Sequence, residues 1–355
     1  VSRKGTAINS LFCSAFILLC IDPWWLWDAG FLLSYAAVLS IMLYQRVIAN
    51  LLYVRNKLSD FIWQLNSVTL AAQLLTIPVT IYYFHQFPVY FLLTNLLAVP
   101  VSSLIVLAEI VLLAVSGIPL LGSWMGTLIS ALIRIMNTWV THLSWMPFAS
   151  WTGLQISLTQ SVCLLLMIVL LARWLMEQEQ RSLYGALLSC SLLIALRSFS
   201  FHQAIQQQML IVYNNNKRTV VEFVHGRDAY YHGPPLDQDS LNLYNNLLQP
   251  AHIRYRIRNW KQWPAQDAGA FLQTGKWRIL IPADEHWEIS SEIPATVLIL
   301  SRSCQAVPER AFAGLVVADG TIAGKALQRI REDCEKRNLS FYSVREQGAF
   351  VMTLP

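Results

Sequence analysis

Long apolar runs separated by short polar stretches fill the first two hundred positions of the chain. A helix that spans a membrane needs about 20 mostly apolar residues. The runs predict spanning helices at residues 6–21, 29–45, 66–84, 88–116, 124–146, 157–174 and 184–201. After residue 205 the pattern changes to short apolar segments between polar turns, as in soluble domains. We therefore expect a helical membrane bundle over residues 1–205 and a soluble domain over residues 206–355.

The distribution of charge supports this division. Of the 355 residues, 55% are hydrophobic and 13% are charged, against about 25% charged residues in soluble domains. Residues 1–205 contain 9 Lys/Arg and 6 Asp/Glu, whereas residues 206–355 contain 17 and 15. The net charge is therefore +3 for residues 1–205 and +2 for residues 206–355. Charge alone does not make either part a strongly basic nucleic-acid binder. The chain begins with valine rather than methionine, and we expect it to be a fragment that lacks an N-terminal part.

Segment 46–66 differs from the spans because basic residues interrupt its helically spaced apolar residues. It predicts an amphipathic helix on the membrane surface. Basic residues flank the predicted spans at three places: Arg3/Lys4, Arg46/Arg55/Lys57 and Arg173/Arg181. All three places lie on the same side of the membrane if the seven spans cross it in alternating directions. The positive-inside rule makes that side cytoplasmic and puts the C-terminal domain on the periplasmic or extracellular side. If segment 88–116 were two spans divided at Pro100, the C-terminal domain would be on the cytoplasmic side instead.

Two prolines and several polar residues lie at membrane depth. Pro78 and Pro100 each remove a helical hydrogen bond and are expected to bend or break their helices. Broken helices point to a transport path, and a plain structural kink is the alternative. Glu109 and Arg134 are expected to pair, either structurally or along a path. The candidates for helix breaks and for a translocation path are Gln73, Pro78, Asn95, Pro100, Glu109 and Arg134.

The C-terminal part mixes predicted strands and helices, which gives an α/β class. Strands are expected at 209–213, 219–225, 252–258, 277–281, 296–301, 315–318 and 349–354, and helices at 240–248 and 323–337. Alternation along the third strand puts Arg254, Arg256 and Arg258 on one face, with Trp260 nearby. That row is a possible contact for single-stranded DNA, against a solvated strand face or a contact with lipid headgroups.

Several other residues of the C-terminal part suggest chemistry only weakly. Asp319 follows a strand, where it is either a ligand position or the cap of the next helix. A disulfide between Cys304 and Cys334 is left open. His225, His232, His252 and His286 include no metal-binding spacing, and neither a metal nor a cofactor is expected.

Two blocks of the membrane part resemble the ComEC competence family, the inner-membrane channel for DNA uptake. Asp22 and Pro23 precede the stretch DAGFLLSYAAV, which contains Asp28, Gly30, Phe31 and Ser34. The next block contains AAQLLTIP at 71–78, YYFHQFP at 82–88 and NLLAVP at 95–100. The order and spacing match the later part of the family's membrane domain, over about residues 1–175.

The resemblance implies a multi-pass protein of the bacterial cytoplasmic membrane that passes single-stranded DNA inward during natural transformation. The implied partners are single-stranded DNA, membrane lipid, other competence proteins and a second copy of the chain. Members also carry a metallo-β-lactamase-like domain with an HxHxDH motif. Since that motif is absent here, we expect a shortened, degenerate and non-catalytic relative of this domain.

Three further classes of function remain as alternatives, and one of them is a metal-dependent nuclease with its site in residues 206–355. A secondary transporter for a small solute would use a half-helix site near Asn95 and Pro100. A membrane-anchored binding protein would work through its soluble domain and use the helices only as an anchor.

Overall fold

The computed structural model describes residues 7–115, 117–234, 244–263, 269–282, 295–304, 307 and 312–354. The chain divides into two compact units, residues 1–197 and 198–355. The division lies eight residues before the predicted boundary, inside one helix. Arg3, Lys4, His286 and the first residues of the predicted helix 240–248 lie outside the described residues.

The described part of the first unit is built from α-helices. They are α1 (Ala7–Ile21), α2 (Ala29–Ala49), α3 (Lys57–Phe84), α4 (Phe91–Val115), α5 (Pro119–Ser144), α6 (Leu158–Glu177) and α7 (Gln180–Gln206). Six of them, α2 to α7, are long and apolar enough to cross a membrane. Helix α1 has 15 residues, or about 22 Å at 1.5 Å per residue, against a hydrocarbon core of about 30 Å. The described part of the first expected span is therefore shorter than a full crossing.

The predicted surface helix at 46–66 is wrong. Helix α2 ends at Ala49, and α3 begins at Lys57 after the Asn56 side chain accepts a hydrogen bond from the Leu58 amide. The helically spaced apolar residues are therefore divided between α2, the connecting loop and α3, and the two helices pack against each other. The Trp63 indole donates to the Ala49 carbonyl oxygen over 2.8 Å. This contact keeps the end of α2 beside the first part of α3.

Both prolines lie inside unbroken helices, so a break at either proline is wrong, whereas the predicted bend stays a prediction. Helix α3 continues through Pro78 and α4 continues through Pro100. Neighbouring helices supply hydroxyl groups near Pro78: Ser161 Oγ of α6 donates to the Pro78 carbonyl over 3.1 Å. Within the two preceding turns, Ser40 Oγ of α2 donates to the Ala71 carbonyl and accepts from the Leu75 amide. These contacts satisfy backbone groups that have no water to bond with inside a membrane.

A short two-stranded sheet joins two loops of the first unit. Strand β1 (Gln86–Pro88) follows α3, strand β2 (Ser150–Thr152) follows α5, and the two pair antiparallel. The loop between α3 and α4 therefore lies beside the loop between α5 and α6. Two helices, α4 and α5, separate these loops, which is what alternate crossings of a membrane require.

The second unit contains two five-stranded sheets. The first has the order β12-β3-β4-β5-β6 and is antiparallel except for β5 with β6. Its strands are β3 (Gln208–Val212), β4 (Val221–His225), β5 (Asp228–His232), β6 (Asn259–Gln262) and β12 (Phe350–Thr353). The second has the order β11-β10-β9-β8-β7 and is parallel except for β7 with β8. Its strands are β7 (Gly269–Thr274), β8 (Trp277–Pro282), β9 (Ala295–Leu300), β10 (Phe312–Ala318) and β11 (Ser340–Ser343).

The helices of the second unit cover the outer faces of the sheets. A π-helical turn (Tyr244–Leu248) and α8 (Gln249–Arg254) pack on the first sheet, and α9 (Gly324–Lys336) packs on the second. A four-residue helix, α10 (Val344–Gln347), precedes β12. One core lies between the sheets and another beneath each helical layer. Strands that are buried on both faces are continuously apolar, and this confirms the predicted α/β class.

The third predicted strand, at 252–258, is wrong. Residues 249–254 form α8, which has Pro250 in its first turn. Proline fits the first turn of a helix because the amide it lacks would have no helical partner there. An alternation of only a few residues does not distinguish a strand from a helix that is anchored elsewhere.

Candidate functional site

The residues of the first family block act as helix caps. The Asp22 carboxylate accepts from the Trp24 amide over 2.9 Å, at the start of a short 3-10 helix (Pro23–Trp27). The Asp28 carboxylate accepts from the Phe31 amide over 2.8 Å and is the N-cap of α2. A Cβ atom at Gly30 would lie 3.0 Å from the Asp28 carboxylate, so a small residue fits best there. Ser34 is exposed on α2.

Gln73 and Pro78 lie in the most tightly packed part of the membrane unit. The core formed by α2, α3 and α6 contains Tyr44, Ala71 and Leu75, and Pro78 is also buried. Thr76 Oγ1 donates to the Ala72 carbonyl over 3.0 Å and approaches the Gln73 side-chain oxygen at 3.2 Å. Residues around Pro78 therefore hold helices together in the described unit.

The expected pair between Glu109 and Arg134 does not form: no ion pair joins these two described side chains. The Trp139 indole donates to the Leu93 carbonyl over 3.2 Å, which fixes the register of the antiparallel helices α4 and α5. In that register Arg134 lies level with residue 98, and Glu109 lies eleven residues farther along α4. At 1.5 Å per residue the two charges differ in depth by about 16 Å. Both side chains are exposed.

Asn95 and Pro100 lie in α4, where both are partly buried. Among the hydrogen bonds found between described residues, none joins the Asn95 amide to a backbone carbonyl. The hydroxyl groups of Ser102 and Ser103 bond to the Val99 carbonyl, over 3.0 and 2.9 Å.

The row of arginines in the C-terminal unit does not exist. Arg254 ends α8, Arg256 has the left-handed φ of 56°, and Arg258 precedes β6, so the three do not share a strand face. Arg254, Arg258 and Trp260 are nevertheless exposed near one another in sequence. The Trp260 ring packs against Tyr231 and Tyr244, with ring centroids 6.5 and 6.3 Å apart.

A buried polar cluster links the first sheet to α8. The Glu222 side chain on β4 is fully buried and binds His252 Nε2 of α8 over 2.8 Å. The Tyr213 hydroxyl donates to the other Glu222 oxygen over 2.6 Å. Burial and the nearby Glu222 raise the pKa of Tyr213 and raise the pKa of Tyr231 to about 12. Both phenols therefore stay protonated at neutral pH and serve as hydrogen-bond donors.

Asp319 ties the two sheets together at one end of the second unit. Its carboxylate accepts from Thr219 Oγ1, before β4, over 2.5 Å, and from the Thr321 amide over 2.9 Å. The expected capping of the next helix is wrong, because the N-cap of α9 is Ala323 and no side chain caps this helix. The Asp319 side chain instead closes the turn after β10.

Asp319 makes the stability of the second unit depend on pH. Burial raises the pKa of its carboxyl, although the hydrogen bonds from Thr219 and Thr321 lower it. The folded state therefore binds the proton more tightly than the unfolded state. We therefore expect stability to fall as pH rises from the ordinary carboxyl pKa, about 4, through the raised pKa of Asp319.

Hydrogen exchange of the β10 amides in the full chain measures this dependence. The Asp319→Asn variant cannot titrate at this position, so its exchange should lose that part of the pH dependence after correction for intrinsic exchange rates. An unchanged pH profile in the variant would contradict the assignment.

The remaining candidates give no metal or redox centre in the described chain. Cys304 and Cys334 are buried thiols in the core between α9 and the second sheet, with Cys334 on α9 itself, so the disulfide left open by the sequence does not form. Burial raises the pKa of Cys334 to about 11, which keeps the thiol protonated. Among the described residues, no group of three or more His, Cys, Asp or Glu side chains is arranged to hold a metal ion.

The most informative contacts were missed from the sequence. Ser40 and Ser161 look like ordinary polar residues in apolar runs, and no local signal links either to the α3 backbone. Glu222 carried a usable signal, since a carboxylate within the apolar strand VVEFV needs a buried partner. Its partner, His252, is thirty residues away and was assigned to a strand.

Comparisons with known proteins agree with the division into two units. Residues 1–178 match the family model described as Competence protein, and residues 210–354 match the ComEC C-terminal domain. ComE operon protein 3 of Bacillus subtilis (strain 168) is 31% identical over 144 residues, which is 40% of this chain and 17% of that relative. No solved structure matches the chain. Since the Competence model alone covers half of a chain that has six apolar membrane helices, the protein belongs to the ComEC competence family and is a multi-pass membrane protein.

Proposed function

We propose that this chain is part of a channel that carries single-stranded DNA across the bacterial cytoplasmic membrane during natural transformation. The observation that carries the proposal is the order of the two family matches. The Competence match ends near the last membrane helices, and the ComEC C-terminal match spans the two sheets. The chain thus combines the membrane and soluble parts that the family uses together.

An orientation in the membrane follows from the loops. Arg46, Arg55 and Lys57 lie around the loop between α2 and α3, and Arg173 and Arg181 lie around the loop between α6 and α7. Four helices separate these loops, so both are on one side, which the positive-inside rule makes cytoplasmic. The paired strands β1 and β2 mark the opposite side. Helix α7 then leaves the cytoplasmic side, and the C-terminal unit belongs to the periplasmic or extracellular side.

The candidate residues have two roles in this proposal. Gln73, Pro78, Asn95 and Pro100 are partly or fully buried and shape α3 and α4. Glu109 and Arg134 are exposed at different depths and line the path. Their separation leaves each charge available to water or to a passing polar molecule, because neither neutralises the other.

On the soluble unit, Arg254, Arg258 and Trp260 are proposed to contact the strand before it enters the membrane. Basic side chains track phosphates, and an exposed aromatic ring stacks on bases without sequence preference. Trp260 is 41% exposed on the edge strand β6, so one ring face is accessible while Tyr231 and Tyr244 support the other side. Other competence proteins and a second copy of the chain are the remaining proposed partners.

Deletion of the full gene in a naturally transformable host tests the proposal. Labelled double-stranded DNA is followed into the nuclease-protected cytoplasmic fraction. We expect DNA still to bind outside the cell but no longer to enter, and the intact gene should restore entry. Unchanged entry in a strain without a second copy of the gene would reject DNA passage as the function.

A further inference from the structure

One face of α5 is polar along most of its length. Its side chains recur at alternating intervals of four and three residues, the spacing that keeps them on one face of a helix. We call this set the polar face of α5: Ser123, Thr127, Ser130, Arg134, Asn137 and Thr141. All six residues are exposed in the described unit. The polar face thus combines a cation, an amide and hydroxyl groups.

The opposite face of α5 is apolar and turned inward. Its side chains follow the same spacing and are buried or half-buried: Met125, Ile129, Leu132, Met136, Trp139 and Leu143. Ile129 is 6% exposed and Leu143 is 3% exposed. The Trp139 indole also bonds to the backbone of α4. Helix α5 therefore packs one apolar face inward and exposes the polar face, and exposed apolar residues such as Leu128 and Ile135 lie beside the polar face.

This arrangement does not suit a face that meets lipid. A helix in contact with acyl chains directs apolar side chains outward, and ionisable residues at membrane depth face a partner or a water-filled cavity. Arg134 lies near the middle of α5, fifteen residues after Pro119 and ten before Ser144. It is too far from either end of the helix for its side chain to reach the interface easily. The polar face must therefore meet water or a polar occupant.

The charge of the polar face favours an anionic occupant. Arg134 is the one charged residue of α5, and Glu109 of α4 is about 16 Å away in depth. Hydroxyl, amide and guanidinium groups all donate hydrogen bonds to phosphate oxygens, and such contacts hold a backbone without reading bases. A helix that covered this face would have to provide a carboxylate opposite Arg134.

We infer that the polar face of α5 lines the water-filled part of the path and that Arg134 contacts phosphates of the passing DNA strand. The inference rests on the proposed function, and it assigns one wall of the path to one helix. The spacing of the face brings a hydrogen-bonding side chain to the path about every 5 Å along the helix axis. A strand can therefore pass from one donor to the next without leaving polar contacts.

Thiol labelling tests whether the face is in water. Single cysteines are placed in the full-length protein, in membrane vesicles, after the native cysteines have been replaced by serine. Ser130→Cys and Asn137→Cys lie on the polar face, and Leu128→Cys and Ile135→Cys are matched controls on exposed apolar positions beside it. We expect a charged methanethiosulfonate reagent to modify the first pair about tenfold faster, because apolar surroundings suppress the reactive thiolate. A single-stranded oligonucleotide should slow that reaction.

Equal rates for all four cysteines, or a slow reaction at the polar face, would overturn the inference and indicate that another helix or lipid covers it. Labelling of the polar face that an oligonucleotide leaves unchanged would overturn the DNA contact. If labelling is slow but the deletion strain loses DNA entry, the polar face is rejected as a wall of the path, while the proposed function stands. Fast labelling together with normal entry in that strain would reject DNA passage and with it the proposed occupant.

The charge of Arg134 is tested in the same host. Arg134→Gln should lower the amount of DNA that enters the cytoplasm about tenfold, equivalent to about 1.4 kcal/mol, while Arg134→Lys keeps most of it. DNA bound outside the cell and the amount of protein in the membrane should not change in either variant. Ile135→Ala is the control, because it shortens a neighbouring side chain on the same helical turn without changing the charge. Normal entry with Arg134→Gln would overturn the phosphate contact.

Discussion

Replacement of His252 by leucine is expected to lower the free energy of unfolding of the C-terminal unit by about 3 kcal/mol. Leucine fills most of the space of the imidazole, so the change removes a hydrogen-bonding partner rather than packing. Glu222 is fully buried and would keep only the Tyr213 hydroxyl as a partner. A buried polar group without its partner costs far more than the hydrogen bond contributed in the native state.

Hydrogen exchange of the β4 and β5 amides in the full chain measures this loss, since about 3 kcal/mol corresponds to roughly a hundredfold faster exchange through global opening. Glu222→Gln is a milder variant because its amide still bonds to both neighbours. His225→Leu is the matched control, because His225 lies on the same strand but is exposed, and it should change stability by less than about 0.5 kcal/mol. Similar effects of His252→Leu and His225→Leu would show that the buried cluster is not a stabilising anchor.

Replacement of Gly320 by alanine is expected to destabilise the same unit by about 3 kcal/mol. A Cβ atom at this position would lie 2.8 Å from the backbone nitrogen and oxygen of Asn215, and equally close to the Asn214 side chain. Side chains can move aside, but the backbone of the loop after β3 cannot move without disturbing the contact between Thr219 and Asp319. The close approach of these two loops therefore requires glycine.

Chemical unfolding of the full chain in detergent, followed by exchange at the β10 amides, measures the effect. Gly275→Ala separates steric crowding from backbone strain. Gly275 has φ +53° but open space around its Cβ position, so alanine there should cost about 1–2 kcal/mol from strain alone. A cost at Gly320 no larger than at Gly275 would mean that the loops separate easily and that their contact does not stabilise the sheets.

Local patterns in the sequence predict much of this protein correctly. The lengths of the apolar runs give the helices α2 to α7, because the thickness of a bilayer fixes the number of apolar residues that a span needs. The carboxylate of Asp28 directly before an apolar run predicts its capping of α2. Six of the seven predicted strands exist within a few residues of their expected bounds, because their apolar runs are short and turn residues flank them.

Wrong predictions share a dependence on distant contacts. Residues 252–258 alternate like a strand, yet His252 lies on α8 because Glu222 binds it from the other side of the layer. Pro78 removes one hydrogen bond from its helix, yet α3 continues in the packed unit, where Ser161 of α6 donates to the Pro78 carbonyl and Ser40 of α2 bonds to the α3 backbone. Segment 46–66 has the periodicity of one helix, but a capped turn divides it between α2 and α3. No local pattern encodes these partners.

The sequence by itself determined the division between membrane and soluble parts, the family, and the polar spacing along α5, since each depends on residue type and interval. Only the tertiary structure decided which way the faces of α5 point, whether Glu109 meets Arg134, and what holds Asp319 and Glu222. The register between α4 and α5 separates the first two charges in depth, and the packing of two sheets brings Thr219 to Asp319 across 100 residues of sequence. The depth of a residue in the membrane, the direction in which a helix face points and the contacts between distant residues all arise from packing. The spacing and polarity of the residues are already present in the sequence.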